Sequence, residues 1–242
     1  MLVRITNICR MGCSHCMVSA APAGDSMSME TFKQTVDFID RCDLPIALIS
    51  GGEPTEHPRL LEFIDCLKDS EIQVVLLSNG MFLDDQKLTD EILARNIMVQ
   101  ITNDARFYPN KIKHIDHPML MYEDAIRIVS PFGRALENKI PCNRQSPLCF
   151  NLRSYTRKLR DFKEAVYRLR NSGKMCIPSI NVDGNLVAGE APSCSSFGHV
   201  TDSNLVLTNR LCDLRCNRCG LADGLPDEYK EAIGEKEASR LS

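Results

Sequence analysis

Long apolar runs are missing from this sequence. No stretch approaches the roughly 18 consecutive apolar residues that would span a bilayer, and the hydrophobic and charged contents, 43% and 25%, are ordinary for a soluble globular protein. We therefore expect no membrane segment. The 242 residues suffice for one large core, or for one domain with a small appendage.

A secretory signal is also missing. The first residues, MLVRITNICRMGC, contain no long apolar segment followed by a small-residue cleavage site, so we expect a cytoplasmic protein whose thiols stay reduced. Histidines are few and scattered, five in all, which argues against a site built mainly from His. Cysteines number twelve, and in a reducing compartment such thiols more often bind metal than form disulfides.

Strand-like and helix-like segments alternate through the first hundred residues. One predicted helix is capped by Ser28 and has Phe32, Val36 and Ile39 on one face. The other predicted helices lie around residues 60–67 and 85–93, and the predicted strands are 2–8, 45–50, 72–77, 97–102, 119–122 and 126–129. Such a series predicts a parallel sheet covered by helices, either a barrel or an open doubly wound sheet, with its site at the carboxyl ends of the strands.

A cluster of cysteines follows the first predicted strand. In CRMGCSHC, Cys9, Cys13 and Cys16 have the spacing CxxxCxxC. Three thiolates can hold a 4Fe-4S cluster and leave one iron open, and Gly12 gives the loop its backbone freedom. The alternatives are a zinc site or buried free thiols, although structural zinc sites favour CxxC pairs and four protein ligands.

With SGGEPT directly after the second predicted strand, the chain resembles the radical S-adenosylmethionine (SAM) superfamily. The resemblance implies an α/β fold, a partial (β/α)6 TIM-like barrel, whose open iron binds SAM. It also implies reductive cleavage of SAM to a 5′-deoxyadenosyl radical, hydrogen abstraction from a substrate carbon, and an external one-electron reductant such as flavodoxin. The SAM contacts it implies are Gly51, Gly52, Glu53, Ser78, Asn79, Asn103 and, where the family usually has an aromatic residue, His15. For Ser78, Asn79 and Asn103, the alternative is that they are ordinary polar residues of turns.

A second group of cysteines surrounds a predicted β-hairpin that turns at Asp183 and Gly184. Four thiolates can be presented there for either an auxiliary 4Fe-4S cluster or zinc. The arrangement resembles the SPASM/Twitch appendages of radical SAM enzymes, in particular the single-cluster Twitch type, and this resemblance favours iron–sulfur. The four implied ligands are Cys176, Cys194, Cys216 and Cys219.

The remaining cysteines leave alternatives open. Cys212 could replace one of these four ligands, or it could join Cys142 and Cys149 around a second auxiliary cluster. Cys42 and Cys66 fall on predicted helices and are interpreted as small core residues.

Charge is distributed unevenly along a chain whose net charge is −3. Residues 153–174 contain eight Lys and Arg against two acids, and a helix is predicted over 154–170. Arg157, Arg160 and Arg168 lie off its apolar stripe with aromatics nearby, which suits phosphates and stacked bases, although a solvated amphipathic helix is the alternative. A smaller patch of the same kind near the barrel rim consists of Arg106, Phe107, Tyr108, Lys111 and Lys113.

The basic helix bears on the substrate. The compact, cysteine-rich chain is similar to small phage radical SAM isomerases that rearrange amino-acid-modified thymidine in DNA, such as 5-N-alpha-glycinylthymidine isomerase, and we expect DNA hypermodification. The alternatives are a Twitch/SPASM-type dehydrogenase or peptide-modifying enzyme, and a non-catalytic iron–sulfur or zinc protein that binds nucleic acid. The predicted division of the chain is a partial barrel over 1–150, a basic connecting helix over 151–175, a Twitch/SPASM-like iron–sulfur domain over 176–225 and an acidic tail over 226–242.

Overall fold

The computed structural model describes residues 1–126, 132–141, 161–164, 166, 178–189, 191, 192 and 194–213. Five strands follow one another in the sheet in chain order, and every neighbouring pair among them is parallel. They are β1 (Leu2–Arg4), β2 (Ile46–Ser50), β3 (Gln73–Ser78), β4 (Met98–Thr102) and β5 (Leu120–Glu123). Their carboxyl ends therefore meet at one edge, as the sequence predicted.

Three helices form the crossovers: α1 (Met29–Arg41), α2 (Leu60–Asp69) and α3 (Gln86–Ala94). Ser28 caps α1 as predicted, because its Oγ accepts a hydrogen bond from the backbone N–H of Thr31 at 3.0 Å. The rings of Phe32 and Phe63 stack 3.8 Å apart in the core between α1 and α2. Short 3-10 turns at Pro54–Glu56 and Met81–Asp84 directly follow the glycine-containing ends of β2 and β3.

A hairpin extends the same sheet beyond β1. β6 (Ser179–Ile180) runs parallel to β1, and β7 (Asn185–Val187) and β8 (Ser196–His199) continue antiparallel. The predicted turn is confirmed, since the N–H of Gly184 donates to Asn181 O at 2.9 Å. Two further helices have bounds within the described residues, α4 (Arg134–Glu137) and α5 (Asn204–Asp213).

The hairpin therefore belongs to the same sheet as the parallel strands. Arg4 on β1, which is 2% exposed, donates to Ser179 Oγ and Asn181 Oδ1, both at 2.8 Å. The turn after β8 contacts α1, because Arg41 donates to Asp202 O at 2.6 Å. These contacts join the segment from β6 to Asp202 to β1 and α1, and the small metal-stapled appendage expected in this region stays a prediction. The four-part division of the chain stays a prediction.

Two predicted strands differ from the observed elements. The first strand was predicted to reach Ile8 but ends at Arg4, because the next residues pair individually with other segments: Thr6 bridges to Ser26, and Ile8 bridges to Ala21. A strand was also predicted over 126–129. Ile126 is not in a strand, and residues 127–129 lie outside the described part of the chain. The described residues thus form a five-stranded parallel array, to which β6 adds at the β1 edge.

Most of the predicted basic helix lies outside the described residues, including Arg157, Arg160 and Arg168. Of its apolar stripe, Phe162 and Val166 are buried, and the Phe162 ring lies 5.5 Å from that of Phe38 on α1. Within the described residues, no helix is both long and apolar enough to cross a membrane.

Candidate functional site

The first three cysteines lie on a loop that leaves the carboxyl end of β1. Cys9 and Cys13 are 6% and 8% exposed, and Cys16 is half-buried. The loop is closed at its base, where the N–H of Cys9 donates to Ala21 O at 2.8 Å. Gly12 adopts a φ of +69°, a left-handed conformation that glycine adopts readily, as the prediction of a tight loop required.

Burial dominates the electrostatics of these thiols. Desolvation by burial, together with the neighbouring Cys9 and Cys16 thiols, raises the pKa of Cys13 to about 12. Burial likewise raises the pKa of Cys9. The described cysteines Cys9, Cys13 and Cys16 form no disulfide.

The SGGEPT segment binds the backbone that leads into this loop. The N–H of Gly52 donates to Thr6 O at 2.6 Å, and that of Glu53 donates to Ile8 O at 2.8 Å. A Cβ on Gly52 would lie 2.3 Å from Ile8 O, so a side chain there would push the two backbones apart. The glycines are thus required by close backbone approach beside Cys9.

Glu53 connects the ends of β2 and β3. The residue is 1% exposed; its Oε1 accepts from Ser78 Oγ at 2.8 Å and Thr55 Oγ1 at 2.7 Å, and its Oε2 accepts from Asn79 N at 2.7 Å. Burial raises the pKa of Glu53, while these hydrogen bonds lower it. Both oxygens of the carboxylate therefore accept hydrogen bonds from the protein, and a direct contact of Glu53 with SAM stays a prediction.

Asn79 reaches the cysteine loop. Its Nδ2 lies 3.7 Å from Cys9 Sγ, and its Oδ1 accepts from the N–H of Met81 at 2.9 Å. Ser78, in turn, accepts from Gly80 N at 3.0 Å through its Oγ. The structure thus brings the predicted residues after β3 to within contact of Glu53 and Cys9.

Asn103, after β4, is half-buried and lies farther along the rim. Its backbone N–H donates to Glu123 O at 3.0 Å, and its Nδ2 lies 3.5 Å from Asp124 Oδ1. The next residue, Asp104, is buried and forms an ion pair with Arg106, which holds the pKa of the Asp104 carboxyl well below its usual range.

The segment after Asp104 covers His15. The His15 ring lies 4.6 Å from the ring of Phe107 and 5.6 Å from that of Tyr108, and the N–H of Ser14 donates to Phe107 O at 3.3 Å. Burial lowers the pKa of His15. Phe107 and Tyr108 therefore pack on His15, while Arg106 is exposed and pairs with Asp104. Lys111 and Lys113 are also exposed, and the interpretation of this rim patch as a surface for phosphates and bases stays a prediction.

Arg134, at the start of α4, holds the cysteine loop from the other side. Its Nε donates to Cys13 O at 2.9 Å, its Nη1 to Ala20 O at 2.8 Å, and its backbone N–H to Cys16 O at 3.0 Å. Asn138 adds a hydrogen bond to Ser14 O at 2.8 Å. Sequence reasoning missed Arg134, because carbonyl acceptors leave no pattern in a sequence.

Glu56 is a second residue that sequence reasoning missed. Its Oε1 accepts from the backbone N–H of Arg10 at 2.8 Å, and its Oε2 lies 3.4 Å from Arg10 Nε. Arg10 immediately follows Cys9, so Glu56 attaches the SGGEPT segment to the cysteine loop. The sequence does contain a signal for this residue, because Glu56 directly follows the SGGEPT segment.

Of the second group of cysteines, only Cys194 has a described side chain. It is half-buried and packs against Phe132 and Ala191, the same small cluster that Met17 contacts. The backbone of Cys212 lies in α5. The other residues predicted as auxiliary ligands lie outside the described residues: Cys142, Cys149, Cys176, Cys216 and Cys219.

Among the described residues, no three His, Cys, Asp or Glu side chains are close enough together to hold a single metal ion. A 4Fe-4S cube takes its thiolates at separate irons. Cys42 and Cys66 agree with their interpretation as small core residues: Cys42 is buried at the end of α1, and Cys66 packs on the core from α2.

Comparison with known proteins finds relatives that match part of this chain. It is 33% identical over 82 residues to the AdoMet-dependent heme synthase of Methanosarcina barkeri, which is 33% of this chain and 23% of the relative. It is 27% identical over 138 residues to the mycofactocin maturase MftC of Mycobacterium tuberculosis, 55% of this chain and 32% of the relative. The chain thus matches a third or less of the length of these relatives.

Solved structures of similar fold cover more of the chain. BtrN in complex with AdoMet and 2-DOIA superposes with a TM-score of 0.59 at 15% identity, covering 88% of this chain and 83% of BtrN. The structure of native anSMEcpe, with bound AdoMet and the Cp18Cys peptide, gives a TM-score of 0.51 at 13% identity, covering 90% of this chain and 80% of anSMEcpe. These similarities show a shared fold. The family model of the radical SAM superfamily matches residues 3–130, more than half of the chain. The chain belongs to the radical SAM superfamily.

Proposed function

We propose that this chain is a radical SAM enzyme of the SPASM/Twitch type that abstracts hydrogen from a carbon of a peptide substrate. The observation that carries the proposal is the convergence on one buried loop of Cys9, Cys13 and Cys16, with the ends of β2 and β3 on one side and Arg134 on the other. Membership of the superfamily implies a 4Fe-4S cluster and SAM. With both bound, the cluster passes an electron from the external reductant to SAM, and a C–S bond of SAM breaks to yield the 5′-deoxyadenosyl radical.

The residues present fit that cluster. The donor set is three thiols on one short loop, which matches the thiolate ligation of iron–sulfur cubes. The loop also offers donors beyond its cysteines: Asn79 Nδ2 faces Cys9 Sγ, and the buried Nη2 of Arg134 has no partner among the described residues. A cluster with anionic sulfurs is a suitable acceptor for such groups.

We assign the SAM contacts to the rim described above. Gly51 and Gly52 hold the backbone of the SGGEPT segment against the loop, while Ser78 and Asn79 are fixed by Glu53. His15 packs between the loop and the Phe107 ring, where it offers a flat surface to adenine. Asn103 is proposed as a contact to the ribose or carboxylate.

An auxiliary cluster is the second part of the proposal. Its ligands would be Cys176, Cys194, Cys216 and Cys219, with Cys212 as a replacement for one of them or as a partner of Cys142 and Cys149 in a further cluster. Support comes from Cys194, which packs against the same Phe132 and Ala191 as Met17 does, one residue beyond Cys16. An auxiliary cluster at that position would lie close to the first site, where it could accept an electron or bind substrate.

A peptide is the favoured substrate class because two of the similar proteins support it. MftC, named as a maturase, matches 55% of this chain, and anSMEcpe was solved with a bound peptide. BtrN was solved with bound 2-DOIA, so a dehydrogenase reaction on a small molecule is the alternative to a peptide substrate. The DNA isomerase hypothesis finds no support among the relatives, and its three arginines lie outside the described residues.

The test is anaerobic reconstitution followed by incubation with SAM and dithionite. Two cubes should give roughly seven to eight irons per chain, and one cube about four. The Cys9→Ala, Cys13→Ala, Cys16→Ala triple variant should lose one cube and release no 5′-deoxyadenosine. Cys66→Ala, on α2 away from the loop, is the matched control and should keep both cubes.

The substrate is then tested in parallel arms containing a peptide panel, aminocyclitols, unmodified DNA and glycinylthymidine-containing DNA. Substrate-dependent 5′-deoxyadenosine and a mass change in a peptide would support the proposal. A mass change in DNA alone would contradict the peptide assignment, and the absence of 5′-deoxyadenosine in every arm would contradict the radical reaction itself.

A further inference from the structure

The carboxamide of Asn79 has a fixed orientation. Its Oδ1 accepts from the backbone N–H of Met81 at 2.9 Å, so the opposite end of the amide must be the NH₂ group. That group faces Cys9 Sγ at 3.7 Å, within the longer reach of hydrogen bonds to sulfur. Because Met81 N is only a donor, the reverse orientation would place two donors against each other.

The backbone of Asn79 is held as firmly as its side chain. Its N–H donates to Glu53 Oε2 at 2.7 Å, and Glu53 also binds Ser78 and Thr55. Asn79 is 8% exposed and Cys9 is 6% exposed. The donor and the sulfur are therefore positioned in a buried setting, where little water competes for the sulfur.

Two carboxylates lie near enough to Cys9 to act on it electrostatically. Glu53 lies behind Asn79, and Glu56 accepts from the N–H of Arg10, the residue that follows Cys9. Negative charge beside a cluster opposes the addition of an electron, whereas a hydrogen bond to a ligating sulfur stabilises the electron-rich, reduced form. Asn79 supplies the stabilising donor between the buried carboxylate and the sulfur.

We propose that Asn79 is a positioning residue that raises the reduction potential of the cluster by donating an N–H to Cys9 Sγ. The proposal rests on the proposed function, in which Cys9, Cys13 and Cys16 hold the cluster. It differs from a role as a SAM contact, because a hydrogen bond to the cysteine acts whether or not SAM is bound.

Two substitutions isolate the donor. Asn79→Asp preserves the shape and the acceptor for Met81 N, but replaces the donor by a negative charge. Asn79→Leu removes the donor without adding charge. Asn103→Asp is the matched control, since it adds the same charge at the end of β4, where Nδ2 faces Asp124 rather than a cysteine.

The measurement is the midpoint potential of the first cluster in the reconstituted full chain, titrated without SAM and followed by EPR, with iron per chain determined on the same samples. Both Asn79 variants should shift the midpoint to more negative values, Asn79→Asp more than Asn79→Leu, and Asn103→Asp should shift it less than either.

Other results have distinct meanings. A wild-type chain that takes up no cluster through these cysteines contradicts the proposed function. Unchanged midpoints in both loaded Asn79 variants, or a positive shift in Asn79→Leu, overturn the role of Asn79 alone. Variants that fold, by circular dichroism, but retain no iron also overturn it, because Asn79 would then support the loop rather than set the potential.

Discussion

Arg134 donates from Nε to the carbonyl oxygen of Cys13 at 2.9 Å, across 121 residues of sequence. The same guanidinium binds Ala20 O at 2.8 Å, and the Arg134 backbone binds Cys16 O at 3.0 Å. One residue from the segment after β5 thus holds the cysteine loop at three carbonyls. The shape of the loop depends on contacts with a residue that is distant in sequence.

Replacing Arg134 should weaken both the fold and iron retention. Arg134→Gln loses two charge-assisted hydrogen bonds, so we expect the free energy of unfolding to fall by about 2 kcal/mol, as measured by urea denaturation. Reconstituted protein should hold severalfold less iron after gel filtration. Arg134→Lys keeps the charge but cannot bind both carbonyls through a fork, and should be intermediate.

Arg59→Gln is the control for this prediction, because Arg59 is a surface residue whose ion-pair partner is Glu62 on the same helix. Its loss should cost clearly less stability than the loss of Arg134 and leave iron content unchanged, because solvent screens an exposed ion pair. An Arg134→Gln protein as stable and as iron-rich as Arg59→Gln would show that the three contacts do not hold the loop.

Parts of this site could be predicted from sequence and parts could not. Periodic apolar residues place β2, β3 and β4 in order, so the ends carrying Gly52, Ser78 and Asn103 must share one edge. Partners from distant segments were not predictable: Arg134 binds backbone oxygens, which every residue has. Phe107 matched a pattern for stacked bases, but its partner is His15, and only tertiary structure selects between such partners.

Glu53→Gln separates a structural role of this carboxylate from a SAM contact. The carboxylate accepts hydrogen bonds at both oxygens, so an amide NH₂ in either position would face a donor from Asn79 N or from Ser78 and Thr55. We expect a loss of about 1–3 kcal/mol in unfolding free energy in iron-free, SAM-free protein.

Glu62→Gln is the matched control, since Glu62 pairs only with exposed Arg59 among the contacts described. It should leave the urea midpoint of unfolding close to that of the wild type, because solvent screens an exposed ion pair. If Glu53→Gln unfolds at the wild-type urea concentration but binds SAM less tightly, the residue is primarily a ligand contact, and the structural role is refuted.

Gly52→Ala tests the close approach between SGGEPT and the cysteine loop. The new Cβ would lie 2.3 Å from Ile8 O and 2.7 Å from Ile8 C, both backbone atoms that cannot rotate away. Relief of the contact lengthens the hydrogen bonds from Gly52 N and Glu53 N, so stability should fall by about 2 kcal/mol. In Gly24→Ala, the new Cβ would lie 3.2 Å from its nearest neighbour, Asn7. This variant should lose clearly less stability than Gly52→Ala when both are measured by thermal denaturation. Equal losses in the two variants would mean that the backbone approach beside Cys9 is not specifically required.

His57 should make stability depend on pH. Its Nδ1 accepts from Arg59 N at 3.1 Å, and its Nε2 donates to Met27 O at 3.0 Å, an arrangement that only the neutral ring with its proton on Nε2 satisfies. Burial lowers the pKa of His57, whereas Met27 O and Glu62 raise it and Arg59 lowers it.

The pKa of His57 is therefore lower in the folded chain than in the unfolded chain, where a histidine has a pKa of about 6.5. This contribution to stability is complete above about pH 6.5 and is lost as the pH falls below that value, through the lowered pKa of the folded state.

His57→Gln, which keeps one donor and one acceptor, should reduce the loss of unfolding free energy between pH 7.5 and pH 5.5, measured by urea denaturation. His199→Gln, which changes a half-buried ring bound to Thr201 and Asp183 at another position, is measured beside it as the control for a histidine substitution. Identical slopes in wild type and His57→Gln would show that His57 can be protonated without loss of its two backbone contacts.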